Sequence, residues 1–451
     1  MRNWKLWGVI VVYAILVVAQ IHWGIPGPDH PFTYQMDEWH SLQSIRFLFK
    51  YGSVNIIGAA HGTLLYFALA GAWLIPFWIG GYINPLAIKS IVDNLPMQYR
   101  LFEALRLNTL AWGILALVMM YKLTRDWRAV SLFTITPIWL TLSGLFKYDI
   151  AVVAAILTTL YFCQSKSWRL AGVITGLAMG IKIALLPLVG VYALSLWMNK
   201  RNLLMGLVIM AATFLITGIP DVFWRWEGYL DVLKVNLVTN SQPAGIYLVG
   251  QQFGYIFGYA LYGLFGVAII RWLKRPRGIL IMAGLVMFAI SLVPLGLGAG
   301  GNRALVLLPF MVLIIALFKW PKWLLAIGLT AQIWQSTNIL AIKFAPDVRR
   351  VASEWMLANL PRDTVVGVEN IPIYQYLPDV VMNGTYKYQV IDGKLPKIVI
   401  VTNEHQELLQ RLTREGYTEQ AIFRPQMWKS VLDFKLANLI PTPTAIGIYT
   451  R

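Results

Sequence analysis

Cysteine is nearly absent from this sequence, since Cys163 is the only one among 451 residues. An internal disulfide and a metal site made of several cysteines are therefore excluded. Three signatures are also missing: the Gly-x-x-x-x-Gly-Lys-Ser/Thr loop for ATP, the Cys/His spacing of a metal site and the Gly-x-Ser-x-Gly nucleophile elbow. No fixed-period repeat and no low-complexity tract occurs. The sequence thus lacks the marks of a P-loop ATPase, a zinc protein, an α/β-hydrolase and a repeat protein.

Charged residues are scarce as well. They make up 13% of the chain, hydrophobic residues make up 58%, and the mean hydropathy is +0.61. A soluble domain of this size is rarely so apolar, so the composition predicts a polytopic helical membrane protein. The formal net charge is +17, but most Lys and Arg flank the apolar runs, where they set orientation and meet lipid headgroups. We therefore expect membrane lipids, and no nucleic acid, as partners.

Apolar runs of about the length of a membrane span follow one another along the chain. The clear ones lie near residues 6–24, 104–121, 129–146, 203–219, 246–270, 279–297, 304–318 and 323–341. The run 150–163 is interpreted as a further short span. The run 170–198 contains Lys182 and Pro187 near its middle, and an unpaired ammonium in mid-bilayer is costly. We therefore predict that this run forms two short helices that meet at Lys182.

The first apolar run follows Arg2 and Lys5, as in a signal peptide. The small-x-small cleavage site is missing, so a retained signal anchor is predicted. The run 63–82 decides the orientation of the rest. If it does not cross the membrane, all five basic loops between later spans lie on the cytoplasmic side, as the positive-inside rule requires. We expect 63–82 at the outer leaflet, about eleven spans and a cytoplasmic amino terminus in a multi-pass protein of the cytoplasmic (inner) membrane.

The character of the sequence changes near Pro346. Residues 1–345 are expected to form an all-α transmembrane domain, in which 25–103 is the first outer loop with interfacial helices. Residues 346–451 are more polar and predict a small extracytoplasmic α/β domain. Its expected elements are strands at 364–368 and 397–402 and a helix near 404–415.

Polar residues near the predicted span ends gather on the outer side. Asp37 and Glu38 lie in a predicted amphipathic surface helix, residues 34–43. The other members of the outer set are His40, His61, Lys147, Asp149, Lys182 and Arg303. Carboxylates are expensive near hydrocarbon, and an active site at the outer leaflet needs a base for one reactant and cations for a phosphate. We expect these residues to meet in one pocket that opens away from the cytosol.

Simpler structural roles are available for most of this set. Lys147 would be a snorkelling side chain at a helix end, and Asp149 would cap a helix beginning at Ile150. Arg303 would be an interfacial anchor, and His40 and His61 would be ordinary interfacial residues. Lys182 resists such an explanation, because it interrupts a Gly-rich apolar run and has no sequence-adjacent acid.

The order of these features resembles the GT-C membrane glycosyltransferases, in particular the branch with the protein O-mannosyltransferases and the lipid A aminoarabinose transferase. Asp37–Glu38 is similar to the Asp-Glu pair on the first outer loop of that family. Further similar elements are His61-Gly-Thr-Leu-Leu-Tyr66, Lys147-Tyr-Asp149-Ile, the Gly-rich run from Gly172 to Lys182, and Arg303 through Pro309. The likeness covers most of 1–341. Two departures concern donor contacts: the paired prolines after His61 are missing, and Ala304 replaces the usual aromatic residue.

The resemblance implies a glycosyltransferase that works at the outer membrane face with a polyprenyl-phosphate sugar donor and inverts the anomeric centre. Asp37 would be the base, Glu38 would orient the acceptor or its loop, and Asp149 would hold the catalytic loop or the acceptor. The donor phosphate would be bound by Lys182, Arg303 and His61, and substrate by His40, Lys147, Tyr148 and Tyr66. The acceptor (a glycan, a lipid or a protein) stays open. A divalent cation, Mg or Mn, also stays open, because some relatives use one and others do not.

Two other classes compete with an enzyme. A lipid or solute transporter, including a flippase, would place its charged residues near the bilayer midplane at broken helices and often has repeated halves. Here the charges gather at one face. A non-catalytic assembly partner would use the outer domain as a binding module, but the presence of Asp37, Asp149 and Lys182 argues against it.

Overall fold

The computed structural model describes residues 4–27, 30–31, 33–52, 64–88, 93–165, 167–182, 185–218, 253–254, 256–275, 278–292, 301–362, 364–369, 376–403, 405–425 and 445–451. The chain forms two compact units. The first consists of Met1–Ile21, His40–Leu86 and Leu101–Ser336, and the second of His22–Trp39, Ala87–Arg100 and Thr337–Arg451. Each unit is therefore assembled from three separate stretches of chain.

Helices make up most of the described chain before residue 346. They are α1 (Trp4–Ala19), α2 (Met36–Tyr51), α3 (Leu64–Ile79), α4 (Leu95–Thr124), α5 (Trp127–Thr134), α6 (Pro137–Ser143), α7 (Tyr148–Gln164), α8 (Trp168–Ile181), α9 (Pro187–Met198), α10 (Leu203–Gly218), α11 (Tyr259–Lys274), α12 (Ile279–Leu292), a 3-10 helix (Gly301–Leu307), α13 (Leu308–Ala316) and α14 (Lys322–Phe344). The predicted break at Lys182 is present, because α8 ends at Ile181 and α9 begins at Pro187.

Two helix predictions differ from the structure. The run 129–146 was expected as one span, but Pro137 starts a new helix there, so α5 and α6 are separate. The predicted surface helix 34–43 begins at Met36 and continues to Tyr51. The continuation follows from the good helix formers after His40, which no Gly or Pro interrupts before Gly52.

Apolar side chains cover both faces of several helices. In α1 the buried residues Leu6, Ile10 and Val17 follow the period of an α-helix, while Trp7 and Ile15 on the other face are 59% and 62% exposed. Large exposed apolar residues of the same kind lie on α10, α11 and α12. Such surfaces are what a bilayer covers, so the chain is a membrane protein.

Helix length gives a more limited result. Within the described residues, α4 is the one helix long and apolar enough to cross a membrane unaided. The other apolar helices found there have 10–17 residues. The predicted count of eleven spans is therefore not confirmed, and the orientation of the termini remains a prediction.

A glycine stripe sets the close approach of α8 and α10. Gly172, Gly176 and Gly180 recur every four residues on α8, which places them on one face of the helix. A Cβ at Gly176 would lie 2.5 Å from the carbonyl oxygen of Met210 in α10. Glycine is the residue that permits this backbone contact, as in the small-x-x-x-small interfaces of membrane helices. The stripe fixes α8 and therefore the position of its final residues.

The second unit contains a five-stranded sheet. After α15 (Val348–Asn359) come β1 (Val365–Val368), α16 (Asp379–Met382), β2 (Lys387–Val390), β3 (Ile398–Thr402), α17 (Gln406–Arg414), β4 (Thr418–Phe423) and β5 (Ile446–Thr450). The strand order is β2-β1-β3-β5-β4. β1 pairs in parallel with β2 and β3, and β5 pairs antiparallel with β3 and β4.

Helices cover both faces of this sheet, which the alternation in β3 makes visible. Ile398 and Ile400 belong to one buried cluster together with residues of α15 and α16. Val399 and Val401 belong to another cluster with Leu408 and Leu412 of α17. Successive side chains of a strand point to opposite faces, so an apolar run such as Ile-Val-Ile-Val is what a doubly covered strand requires. A small sheet covered by helices is therefore present in the part of the chain where strands and a helix were predicted.

Candidate active site

The helical hairpin of α7 and α8 builds the cationic part of the candidate site. The two helices pack against each other and are joined by a connection of residues 165–167. Two helices joined by so short a connection run antiparallel. The start of α7 and the residue that follows α8 therefore lie at the same end of the hairpin. Tyr148 and Asp149 occupy the first turn of α7, and Lys182 is the C-cap of α8. Three residues predicted from sequence are thereby brought together.

Lys182 lies over the ring of Tyr148. Its Nζ is 3.5 Å from the ring centroid, which is a close cation–π contact. Tyr148 is buried, and Lys182 is half-buried. A cation at the C-terminal end of a helix is also favoured by the helix dipole. The ring face and the helix end together explain how an ammonium is accommodated after an apolar run without an adjacent acid.

Asp149 and Lys147 form a loose, buried pair. The Lys147 Nζ is 3.9 Å from Asp149 Oδ2, and both residues are at most 7% exposed. That oxygen has no hydrogen-bond partner among the described residues. α7 begins at Tyr148, and Lys147 is its N-cap, so Asp149 does not cap a helix beginning at Ile150. Buried carboxylate oxygens are usually hydrogen-bonded, which makes Asp149 a candidate for contact with a bound group.

Aromatic rings line the same place. Tyr66, in the first turn of α3, stacks on Phe146 with ring centroids 5.7 Å apart and meets Tyr148 edge-on at 6.2 Å. α3 reaches this position because it packs against α8, where a Cβ at Gly180 would lie 3.2 Å from Leu65. The glycine stripe therefore also lets the first turn of α3, which carries Tyr66, pack against α8. Phe146 was missed in the sequence, since a single aromatic residue in an apolar run carries no signal.

Arg303 belongs to the 3-10 helix Gly301–Leu307, where it is half-buried. This helix packs against α6 and α7, and α7 is the helix that begins with Tyr148 and Asp149. The sequence placed Arg303 at the start of a span. In the structure it lies in a separate turn before α13, because Pro309 favours the first turn of a new helix.

The acid pair belongs to the second unit. Asp37 and Glu38 lie in the first turn of α2, where carboxylates are favoured by the dipole. Gln35 Nε2 donates to Asp37 Oδ2 at 3.0 Å, and Thr33 Oγ1 donates to Glu38 Oε2 at 2.9 Å. Glu38 is fully buried, whereas Asp37 is half-buried. Asp37 is therefore the accessible acid of the two, and Glu38 is held by Thr33 of the segment that precedes α2.

Two histidines complete the predicted set. His40 is half-buried in α2, and its carbonyl oxygen accepts from Ser44 Oγ at 3.0 Å. The prediction for His61 lies outside the described residues. Within the described part of the chain, no three His, Cys, Asp or Glu side chains lie together as a metal site would require.

Sequence reasoning missed one buried charge in the first unit. Arg106 of α4 is fully buried, and its Nη1 donates to the carbonyl oxygen of Ile21 at 2.6 Å. That carbonyl lies just beyond the end of α1, where backbone acceptors lack helical partners. The signal was available, because Arg106 is a charge within the predicted span 104–121.

Comparisons with known proteins bear on the fold. Neither a protein-family model nor a curated protein matches the sequence. The crystal structure of ArnT from Cupriavidus metallidurans bound to undecaprenyl phosphate matches with a TM-score of 0.51 at 9% identity, over 99% of this chain and 98% of that one. The chain shares the fold of this ArnT structure.

Two further solved structures are similar to this chain at lower TM-scores. Apo ArnT from the same organism has a TM-score of 0.49 at 11% identity, over 97% of each chain. The oligosaccharyltransferase AglB from Archaeoglobus fulgidus, in complex with an inhibitory peptide and a dolichol-phosphate, has a TM-score of 0.44 at 16% identity. That match covers 80% of this chain and 58% of AglB. The likeness of fold rests on the ArnT structure bound to undecaprenyl phosphate.

Proposed function

We propose that this protein is a glycosyltransferase that moves a sugar from a polyprenyl-phosphate donor to an acceptor hydroxyl at the outer face of the cytoplasmic membrane. The observation that carries the proposal is the cluster of Lys182, Tyr148, Asp149 and Tyr66 in a chain with the fold of ArnT. A half-buried ammonium held over the ring of Tyr148, the residue that precedes the buried Asp149, suits a phosphate and a polar reactant. ArnT, whose fold the chain shares, was crystallised with undecaprenyl phosphate.

In the proposed reaction, Asp37 accepts the proton of the acceptor hydroxyl. The hydroxyl oxygen attacks the anomeric carbon, and the bond from that carbon to the phosphate oxygen breaks with inversion. The electron pair of the broken bond stays on the lipid phosphate. Lys182 and Arg303, with His61, stabilise the charge that develops there. The lipid phosphate and the glycosylated acceptor are the two products.

The remaining residues have supporting roles. Asp149 holds the acceptor or the catalytic loop, and Glu38 orients the loop through its hydrogen bond from Thr33. His40, Lys147, Tyr148 and Tyr66 contact substrate. The Tyr148 ring also helps to hold the Lys182 ammonium in place, because a cation is attracted to the face of an aromatic ring. A multi-pass topology with a cytoplasmic amino terminus and an extracytoplasmic 346–451 domain belongs to the same proposal.

The purified protein in liposomes, incubated with a panel of radiolabelled polyprenyl-phosphate sugars, tests this function. At least one donor should lose its label to an acceptor or to water, and heat-treated protein should release none. Label that stays on every lipid would overturn the proposal. Label that crosses the bilayer on an intact lipid would show a flippase instead.

A further inference from the structure

Three consecutive residues connect the acid pair to the sheet-containing part of the second unit. Thr33 donates to Glu38, and Gln35 donates to Asp37. The side chain of Tyr34, between them, contacts Arg349 of α15 and Asp379 of α16. The backbone that holds both carboxylates is thus anchored at its central residue. Whatever fixes Tyr34 also fixes the two side chains that hold Asp37 and Glu38.

Tyr34 sits in a polar but fully enclosed place. The Arg349 guanidinium carbon lies 3.3 Å from its ring centroid, and its hydroxyl donates to Asp379 Oδ2 at 3.4 Å. His30 stacks on the ring with centroids 4.5 Å apart. Tyr34 is only 4% exposed, and burial is the main reason that its pKa is raised, with a further contribution from Asp347. The phenol therefore stays protonated and able to donate.

Arg349 is itself immobilised. It is fully buried at the start of α15, and its Nε and Nη2 each donate to Asp347 at 2.7 Å, one to each carboxylate oxygen. Burial raises the pKa of Asp347, but the charge and hydrogen bonds of Arg349 outweigh it, so the pKa lies below the ordinary value. A guanidinium held by two parallel bonds has a fixed plane. Its flat face is what Tyr34 packs on.

Local structure alone does not fix the segment that precedes α2. The Tyr34 N–H donates to the Gly24 carbonyl oxygen at 3.0 Å, and Gly24 has a φ of +63°. A Cβ at Gly24 would lie 2.7 Å from the Tyr34 ring, so this turn requires glycine. The contacts within the loop are a few hydrogen bonds, each worth only about 1 kcal/mol, and the packing of Trp23 and His30 on the Tyr34 ring. The buried charge cluster is the anchor that resists displacement.

We infer that Arg349 is a positioning residue for sugar transfer: through Tyr34 it fixes Thr33 and Gln35, and thereby the direction in which the Asp37 carboxylate points. The inference rests on the proposed function for its catalytic meaning. It gives the carboxyl-terminal α/β domain a role that its fold alone does not indicate. The domain supplies the anchor for the base.

Arg349→Lys tests the inference, because lysine keeps the charge and loses the flat face and the paired bonds. Arg350→Lys is the matched control, since Arg350 is the next residue of α15, is exposed and pairs with Glu354 at 2.9 Å. Hydrogen exchange of the amides of residues 33–38 is measured in detergent for each protein, together with kcat and donor KM. Tyr34→Leu provides a second variant that removes the same contact from the other side.

Arg349→Lys and Tyr34→Leu should both speed exchange at 33–38 and lower kcat by roughly 10- to 100-fold, with donor KM unchanged. The double variant should lose no more than the single ones, because both act on one contact. Arg350→Lys should change nothing.

Unchanged exchange in both variants would overturn the anchor, whatever the activity. Faster exchange with a wild-type kcat would overturn the positioning role. A wild-type protein that transfers no sugar would overturn the proposed function instead, and the exchange data would then decide on the anchor by themselves.

Discussion

The ammonium of Lys182 lies 3.5 Å from the centre of the Tyr148 ring, although 34 positions separate the two residues along the chain (182 − 148). The antiparallel hairpin of α7 and α8 makes this contact, because it returns the end of α8 to the start of α7. An ammonium carries several N–H donors, and a ring face on one side of it is compatible with an anion on another. This arrangement is the physical basis for assigning Lys182 to the donor phosphate.

Lys182→Gln should raise the KM for the lipid donor by roughly tenfold or more and leave the acceptor KM unchanged, because a hydrogen bond to a charged group is worth about 1.5–3 kcal/mol. Lys122→Gln is the control: the Lys122 Nζ also lies over a tyrosine ring, that of Tyr161, at 5.2 Å. The donor KM of each variant is measured from initial rates at a series of donor concentrations. An unchanged donor dependence for Lys182→Gln would remove it from phosphate binding.

Asp37→Asn should lower transfer by about 10²- to 10⁴-fold, because an amide cannot accept the acceptor proton in the transition state. The Gln35 side chain, which donates to Asp37, can also donate to the carbonyl oxygen of the substituted amide. Folding and membrane insertion should therefore stay normal. Asp392→Asn, at an exposed turn residue, should retain full activity. Near wild-type transfer by Asp37→Asn would show that another group is the base.

Gly176→Ala should destabilise the helical unit, because the new methyl group would lie 2.5 Å from the Met210 carbonyl oxygen and α8 would have to move off α10. Overpacking of this kind costs about 1–3 kcal/mol. Gly266→Ala in α11 is the control, since no atom of the described chain lies within 4 Å of its Cβ position. Thermal unfolding in detergent should show a lower Tm for Gly176→Ala alone. Equal Tm values would mean that the glycine stripe is not tightly packed.

Acid should weaken the second unit through Asp347. Burial raises the pKa of this carboxyl, but Arg349 brings it below the ordinary 3.8. As the pH falls, Asp347 is therefore protonated in the unfolded chain before it is protonated in the folded protein. Its contribution to the free energy of unfolding is complete above pH 3.8 and is lost as the pH drops through the pKa of the folded state. In Asp347→Asn, Tm should depend less on pH between roughly pH 5 and 3. Glu354→Gln, which removes a carboxylate from an exposed ion pair, should keep the wild-type dependence of Tm on pH. If Asp347→Asn showed the same dependence of Tm on pH as the wild type, Asp347 would not be the group responsible.

The orientation of the chain can be tested at its carboxyl end. A tag placed after Arg451 should be cleaved when protease is added outside intact spheroplasts, because the predicted topology puts residues 346–451 beyond the cytoplasmic membrane. A tag before Met1 should be protected in the same cells. Protection of the carboxyl-terminal tag would reverse the proposed topology and, with it, the side on which the donor is used.

Much of the fold was predictable, for identifiable reasons. The break at Lys182 followed from the cost of a charge in an apolar run, and α8 and α9 end and begin around it. The runs 364–368 and 397–402 contain β1 and β3, because continuous β-branched residues are typical of buried strands. β2, β4 and β5 were not predicted, since Lys387–Val390, Thr418–Phe423 and Ile446–Thr450 are too short or alternate too weakly to be recognised alone.

The candidate site was predictable only in part. Tyr66, Lys147, Tyr148, Asp149 and Lys182 were chosen from motifs, and the structure gathers them at one end of α7 and α8. The contact of Arg349 with Tyr34 was not foreseeable, because nothing near residue 349 marks that arginine as buried. Pairing across such a separation depends on tertiary packing, which local patterns do not record.

The separation of Tyr34 from Asp379, 345 positions along the chain, has a consequence for biosynthesis. A ribosome that adds roughly 5–20 residues per second completes the first loop long before it makes the residues that hold it. During that interval the acid pair has no support from the distant end of the polypeptide. The protein should therefore acquire the proposed activity only when translation is finished, and products truncated before α15 should be inert even with every preceding helix in place.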